Sequence, residues 1–428
     1  MNEGKIVVGI DVGTSKIATI IARIDESTVN VLGVSEVKSA GIKKGQIVDI
    51  EEAVSCINTS LEAAERMAGY SASRVIASIG GSHIESLNSK GVVAVSSPEG
   101  EMTENDLARV IDAAKAVSLP SSREIIHVLP RTYTVDGQEG IKDPIGMSGI
   151  RLEVDTHIIS ANSTAIRNLE KALTDVGVDI DGIVYNGYAS SLSVLSDTEK
   201  ELGVVLVDIG AGTTDISIYT EGSVAYSSVL AIGARHITND LAIGLRISIE
   251  SAEKIKLFLS SPQKPSKITE ESEEPKQKTA DEIDLSSLHL PEEVSKVSRK
   301  TLIDGIIRPR LNEIFTFVGL EIKKSSFAGQ TPSGLVITGG GGRTIGAVDS
   351  AKRTLSMPVR LGLPANIKGI IDEIGDPSFA TVVGLCTYGA TLEPSSGLPF
   401  GISVPQIPNL KVNKIFSKVI DLIKSFIP

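Results

Sequence analysis

Short apolar runs of strand length alternate with stretches in which apolar residues recur near a period of 3.6, and this order predicts strands and helices interleaved along the chain. Val8-Gly9-Ile10-Asp11 and Ile17-Ala18-Thr19-Ile20-Ile21 enclose the turn Val12-Gly13-Thr14-Ser15-Lys16, the pattern of a β-hairpin; Val29 to Val34 predicts a further strand. Asp49, with Glu52 three residues on, signals a helix start. Ile50, Ala53, Val54, Ile57, Leu61, Ala64 and Ala68 then keep helical spacing until Gly69 stops it. From about Arg74 to about Ala161 the texture changes to short strands (Val75–Ile79, Gly91–Val95, Glu124–Val128, Leu152–Ile159) around one helix, Thr103 to Val117, which predicts a subdomain inserted into a first lobe. A helix from Ser163 to Val176 and a strand near Ile183-Val184-Tyr185 return the chain to that lobe, and a helix from Asn186 to Leu195 crosses to a second.

The hairpin signature then repeats 197 residues on, as Leu206-Val207-Asp208-Ile209-Gly210-Ala211-Gly212-Thr213-Thr214-Asp215 followed by Ile216-Ser217-Ile218-Tyr219. In each copy an apolar strand ends in Asp and a Gly/Ser/Thr turn follows. Glycine lets backbone approach an anion, amides and hydroxyls donate to it, and a nearby Asp holds hydrated Mg²⁺. A third cluster, Gly339 to Gly342, follows the buried run Leu335-Val336-Ile337-Thr338 and offers a flat backbone surface for an adenine and ribose. No G-x-x-x-x-G-K-[ST] occurs, and no G-x-G-x-x-G lies between a strand and a helix.

Composition narrows the class. At 428 residues and 41% hydrophobic content the chain has material for two large cores. A net charge of −11 with no basic stripe argues against nucleic acid as a partner. Cys56, in a helical pattern, and Cys386, in an apolar run, read as small buried hydrophobes of a reducing compartment. Neither a signal peptide nor an apolar run approaching ~18 residues is found, so the protein is expected to stay inside the cell. Ser260 to Glu293 is rich in Pro, Ser, Lys and Glu without an aromatic residue, and is expected to be a disordered loop.

The C-terminal segment adds a second functional signal. After the proline-spaced stretch Leu398 to Pro408, apolar residues at Val412, Ile415, Phe416, Val419, Ile420, Ile423, Phe426 and Ile427 form one stripe at helical period. Lys414, Ser417, Lys418, Asp421 and Ser425 lie opposite. Such a helix binds reversibly in the interface of an anionic membrane, with Ile415, Phe416, Val419, Ile420, Ile423, Phe426 and Ile427 as its lipid face.

The two hairpin turns and the glycine cluster resemble the phosphate-1, phosphate-2 and adenosine motifs of the actin/Hsp70/sugar-kinase ATPase superfamily. With the insert and terminal helix added, nearly the whole chain resembles the FtsA family of bacterial cell-division proteins. The resemblance implies an α/β, two-lobed actin-like ATPase fold with an inserted 1C subdomain and a C-terminal amphipathic helix. It places subdomain 1A at 1–81 and 163–198, 1C at 82–162, 2A at 199–226 and 300–397, 2B at 227–299 with a disordered loop at 260–293, a linker at 398–411 and the membrane helix at 412–428. It implies ATP and Mg²⁺ as cofactors. Asp11 and Asp208 would hold Mg²⁺ through water; Gly13, Thr14, Ser15, Lys16, Gly210, Gly212, Thr213 and Thr214 would cradle phosphates; Glu253 and Lys256 would meet the ribose; Gly339, Gly340 and Gly341 would pack on the adenosine. No catalytic residue is assigned: the crossing segment shows Asn186-Gly187 where a group that positions water is wanted, so weak or no ATPase activity is expected. The implied partners are an FtsZ C-terminal tail peptide docked on 2B, other copies of the chain in a polymer, further divisome proteins and anionic lipid, at the cytoplasmic face of the plasma membrane at the division site. The competing readings are a PilM-like pilus-assembly adaptor and a metabolic kinase of the same superfamily.

Overall fold

The computed structural model describes residues 4–392 apart from 26–27, 97–99, 262–280, 293, 295 and 370–373. The predicted C-terminal helix, with its lipid-facing residues from Ile415 to Ile427, lies outside the described residues.

Lobe one begins with the antiparallel hairpin of β1 (Lys5–Val12) and β2 (Lys16–Asp25), in the register Val12↔Ile17, and β3 (Thr28–Lys38) pairs beside β2. A small flap follows. Its strands, β4 (Ile42–Lys43) and β5 (Gln46–Ile47), turn through Lys44 and Gly45 at positive φ (49° and 75°). Helix α1 (Ile50–Ala68) starts where the Asp49 side chain accepts from the Glu52 amide (3.1 Å) and ends at left-handed Gly69. It buries Ala53, Ile57, Leu61 and Ala64 on the sheet, the two larger side chains contributing ~2 kcal/mol each. Gly33 permits this seat, because a Cβ there would stand 2.3 Å from the Ala64 carbonyl oxygen.

β6 (Arg74–Ile79) pairs parallel with β1 inside this sheet. Residue texture groups Val75–Ile79 with the insert, whereas the family resemblance puts 1–81 in subdomain 1A; texture misleads here because, buried on both faces between two parallel neighbours, this strand carries no alternation to mark its sheet. The insert proper is an antiparallel sheet of β7 (Glu85–Ala94), β8 (Arg123–Val135), β9 (Gln138–Ile141) and β10 (Arg151–Asn162) in the order β7-β10-β8-β9. Helix α2 (Glu104–Lys115), opened by a Thr103–Asp106 capping box, covers one face. Although the insert is chained to lobe one, Ser86 and Asn88 donate to the carbonyls of Ser227 and Ala225 in lobe two (2.7 and 3.1 Å).

Helix α3 (Ser163–Val176) and β11 (Asp179–Tyr185) complete lobe one, and α4 (Asn186–Val194) crosses to lobe two. After α5 (Asp197–Leu202) come β12 (Val204–Ile209), β13 (Thr214–Thr220) and β14 (Ser223–Leu230), then α6 (Ala234–Leu245) and α7 (Ile249–Ser260). The subdomain division expected at Ser227 falls inside β14. Ser260 ends α7, and residues 281–292 also depart from the expected disorder: β15 (Glu282–Asp284) pairs with β16 (Lys296–Ser298), anchored by buried Ile283 and Leu285. A short π-helix at Thr301–Ile307 leads into α8 (Arg308–Lys324), then β17 (Leu335–Thr338), α9 (Ala347–Leu355) and β18 (Val359–Leu361). β19 (Ile367–Gly369) returns to pair with β3 of lobe one, and α10 (Ala380–Thr391) packs beside α4. Gly384 makes that crossing possible, since a Cβ would fall 1.8 Å from the Ala189 carbonyl oxygen.

The lobes repeat one another. Lobe one runs β11-β6-β1-β2-β3-β19 and lobe two β18-β17-β12-β13-β14, so β1, β2, β3, β6 and β11 correspond to β12, β13, β14, β17 and β18. α1 and α3 cover the outer face of the first sheet, α6 to α9 that of the second, and α4 and α10 lie between. At the far end of β1, Lys5 Nζ donates to the carbonyls of Gly389 (2.8 Å) and Leu392, the last turn of α10 and the residue after it.

Candidate functional site

Both hairpin turns are closed by the same bond at the same offset. The Gly13 amide donates to the Lys16 carbonyl (3.1 Å) and the Gly210 amide to the Thr213 carbonyl (2.9 Å). Asp11 and Asp208 therefore occupy equivalent strand ends, and the turns meet across the cleft: a Cβ on Gly212 would stand 2.9 Å from Thr14 Oγ1. Lobe two stabilises its turn with the start of α6, whose Ala234 and Arg235 amides donate to the Gly210 and Ala211 carbonyls (2.9 Å each). Gly339, at φ 80°, is required beside Asp208, because a Cβ there would sit 2.1 Å from Asp208 Oδ1.

The carboxylates are buried and electrostatically coupled. Ser78 Oγ donates to Asp11 Oδ1 (2.7 Å) and Thr381 Oγ1 to Asp208 Oδ2 (3.0 Å). Burial raises the carboxyl of Asp11 above its ordinary value. Burial and the charge of Asp11 raise that of Asp208 to about 6. Asp215, which the sequence reading had not assigned, is the third member: burial and then Asp208 push its carboxyl well up, and its Oδ1 has no hydrogen-bond partner. Among the described residues no three His, Cys, Asp or Glu side chains lie close enough to ligate a metal ion directly. Buried carboxylates of which Asp208 and Asp215 are raised by their acidic neighbours, with one oxygen unpartnered, fit a cation held through its water shell.

The remaining predicted residues divide. Gly13, Thr14 and Ser15 lie on the first turn and Gly210, Gly212 and Thr213 on the second, whereas Thr214 is fully buried and donates its hydroxyl to the Ile232 carbonyl (2.8 Å). Lys16 is engaged: its Nζ pairs with Glu36 Oε2 (2.7 Å), donates to Ser378 Oγ (3.0 Å) and lies 3.9 Å from the centre of the Phe379 ring. Gly340 is exposed, and a Cβ on it would stand 3.5 Å from Ser378 Cβ, so the turn at Asp376–Phe379 links the glycine cluster to Lys16. Gly341 packs on Ile209. Glu253 and Lys256 tie α7 to α6, with Lys256 Nζ donating to Thr238 Oγ1 (2.9 Å) and Glu253 Oε2 (2.8 Å); Lys256 is buried while Glu253 is half-exposed. Ser78, Thr381 and Ser378 were missed because each reaches the site from a distant segment, and Asp215 was quoted within the second motif without being given a role. Asp215, placed two after Thr213 in the repeated motif, was the only one with a local signal.

Two sheets of one topology, each ending in an Asp-Gly hairpin turned toward the other, define an actin-like protein. Among solved structures, the PilM–PilN type IV pilus biogenesis complex matches 91% of this chain and 99% of its own (TM-score 0.62, 14% identity). ADP-bound MreB5 of Spiroplasma citri matches 90% and 96% (TM-score 0.50, 14% identity), and the MamK double helical filament 91% and 99% (TM-score 0.50, 12% identity). Residues 81–160 match the SHS2 domain inserted in FtsA, and residues 205–384 match the cell division protein FtsA. Cell division protein FtsA of Pseudomonas aeruginosa is 38% identical over 94% of this chain and 93% of its own length, and that of Borreliella burgdorferi 38% over 90% of each. The chain belongs to the FtsA family of cell-division proteins.

Proposed function

We propose that this protein binds ATP with Mg²⁺ between its lobes, polymerises on the inner face of the cytoplasmic membrane at the division site, and anchors the FtsZ ring there through its C-terminal helix. The observation that carries the nucleotide part is the meeting of the two duplicated turns at Thr14 and Gly212, with Asp11 and Asp208 behind them. Asp11 and Asp208 hold the hydrated Mg²⁺, which supplies charge neutralisation to the phosphates. Gly13, Thr14, Ser15, Gly210, Gly212 and Thr213 line the phosphate cradle; Glu253, with Lys256 fixing it, faces the ribose; Gly339 to Gly341 bear the adenosine. Nucleotide turnover is slow or absent, since the crossing helix offers only Asn186, wedged against Gly80, at the place where a group that positions water is wanted.

The subdomain division 1A, 1C, 2A and 2B goes with this reading. For the FtsZ tail the supporting feature is a 220 Å³ cavity on lobe two lined by Asp240, Gly305, Ile306, Pro309, Arg310 and Glu313, between α6, the π-helix and α8. Nearby on α6, Ile243 is 77% exposed, an apolar contact for a peptide beside the charged Arg310. Membrane attachment rests on the sequence stripe from Ile415 to Ile427, since among the described residues no helix is long and apolar enough to cross a membrane. The pilus-adaptor reading has the fold likeness to PilM in its favour, but the family identity and the terminal stripe favour cell division. Pelleting with anionic liposomes with and without ATP, followed by electron microscopy of the pellet, tests the reading. Membrane-bound filaments are expected, and protein that stays in the supernatant under both conditions refutes it.

A further inference from the structure

Lys16 is the lysine that the first turn itself supplies, yet Glu36, Ser378 and the Phe379 ring already engage it. Two further lysines, Lys43 and Lys44, stand at the same place. The flap between β4 and β5 lies across both hairpin turns: the Gly45 amide donates to Thr14 Oγ1 (3.0 Å), and a Cβ on Gly212 would stand 3.2 Å from Lys44 Cα. On its other side a Cβ on Gly45 would lie 2.9 Å from the Gly80 carbonyl carbon and the Gly81 amide. Gly80 and Gly81 follow β6 as Gly339 and Gly340 follow β17, so the flap rests on glycine surfaces of lobe one while touching the turn of lobe two. Lys43 and Lys44 are exposed, and neither makes an ion pair with a described residue. Lys44 holds a left-handed backbone (φ 49°), a conformation that places its Cα against Gly212.

We propose that Lys44 is the cation that reads the terminal phosphate of a bound nucleoside triphosphate, while Lys16 fastens the first turn to the Asp376–Phe379 turn. This rests on the nucleotide reading above. The reasoning is positional. A phosphate chain lying between Thr14 and Gly212 ends where the two turns meet, and the residue standing over that meeting point is Lys44. Its ammonium is an unpaired point charge on a flexible four-carbon stem. A terminal phosphate adds negative charge at that spot, and a diphosphate lacks it, so Lys44 contributes to the difference between ATP and ADP more than to affinity for both.

Calorimetric affinities of the full chain for Mg-ATP and Mg-ADP test the assignment. Lys44→Gln should weaken ATP binding about tenfold and leave ADP within about twofold of wild type, Lys44→Arg should restore ATP binding, and Lys43→Gln should leave the ATP-to-ADP ratio unchanged. Equal affinities in wild type and Lys44→Gln, or equal losses of ATP and ADP, would overturn the assignment and leave the nucleotide site standing. Wild-type protein that binds neither nucleotide would bring down both. Circular dichroism melting of each variant checks that the flap change leaves the fold intact.

Discussion

Asp208→Asn should stabilise the nucleotide-free protein while abolishing its response to Mg-ATP. In the fold, burial and Asp11 lift the Asp208 carboxyl from an ordinary value near 3.8 to about 6. A carboxyl whose folded value is raised destabilises the fold once it ionises: there is no cost below about pH 4, the cost grows as pH rises through the interval to about 6, and it is complete above that. The interval corresponds to ~3 kcal/mol at neutral pH, less whatever the Thr381 hydrogen bond loses when its acceptor becomes a neutral amide oxygen. A net gain of ~1–2 kcal/mol at pH 7 is therefore expected for the Asn variant, falling toward zero at pH 4. Urea unfolding at both pH values, with and without Mg-ATP, measures it. Wild type should gain stability from Mg-ATP, because the cation favours the ionised carboxylates, and the variant should gain little. An Asn variant that is less stable than wild type at pH 7 without nucleotide, or one that keeps the wild-type fall in stability between pH 4 and 6, would refute the electrostatic account.

Three other changes probe the remaining parts. Gly339→Ala puts a methyl group 2.1 Å from Asp208 Oδ1 at a positive φ, and should lower unfolding free energy by ~2 kcal/mol or more along with Mg-ATP affinity; urea titration and calorimetry read the two. Arg310→Ala opens the lobe-two cavity at its charged wall and should weaken binding of an FtsZ C-terminal peptide about tenfold by calorimetry, with a modest fall in melting temperature because Asp240 and Glu313 lose their partner. Replacing both Phe416 and Ile420 with Glu puts charge on the apolar stripe of the sequence and should end co-sedimentation with anionic vesicles without altering ATP binding or melting; a markedly earlier melt would mean that the segment belongs to the core.

Local chemistry was legible in the sequence, and chemistry assembled from afar was not. Both ends of α1 are written beside it, in Asp49 with Glu52 and in Gly69, and the structure uses those residues. The paired carboxylates were legible because a duplicated turn announces itself at a fixed offset. From residue texture alone β6 groups with the insert, because its neighbours β1 and β11 lie far from it in the chain and a strand buried on both faces has no polar rhythm. Ile283 and Leu285 escaped notice because two apolar anchors are diluted in a charged window, yet they suffice to seat a short strand pair. Lys16 stood out as a cation, but Glu36 and Ser378, which occupy it, are 20 and 362 residues away.

The bonds from Lys5 to the end of α10 give the molecule a mechanical path. A pull on the chain beyond Leu392 enters the fold where Lys5 grips the Gly389 and Leu392 carbonyls. From there it runs into β1 along the strand axis, and β1 ends at Asp11 and the Gly13 turn. Tension along a strand is borne by its neighbours β2 and β6 in shear, with many hydrogen bonds loaded together rather than one after another. A tether attached at this end of the protein would load the strand that carries the first turn, and the cleft would feel the pull.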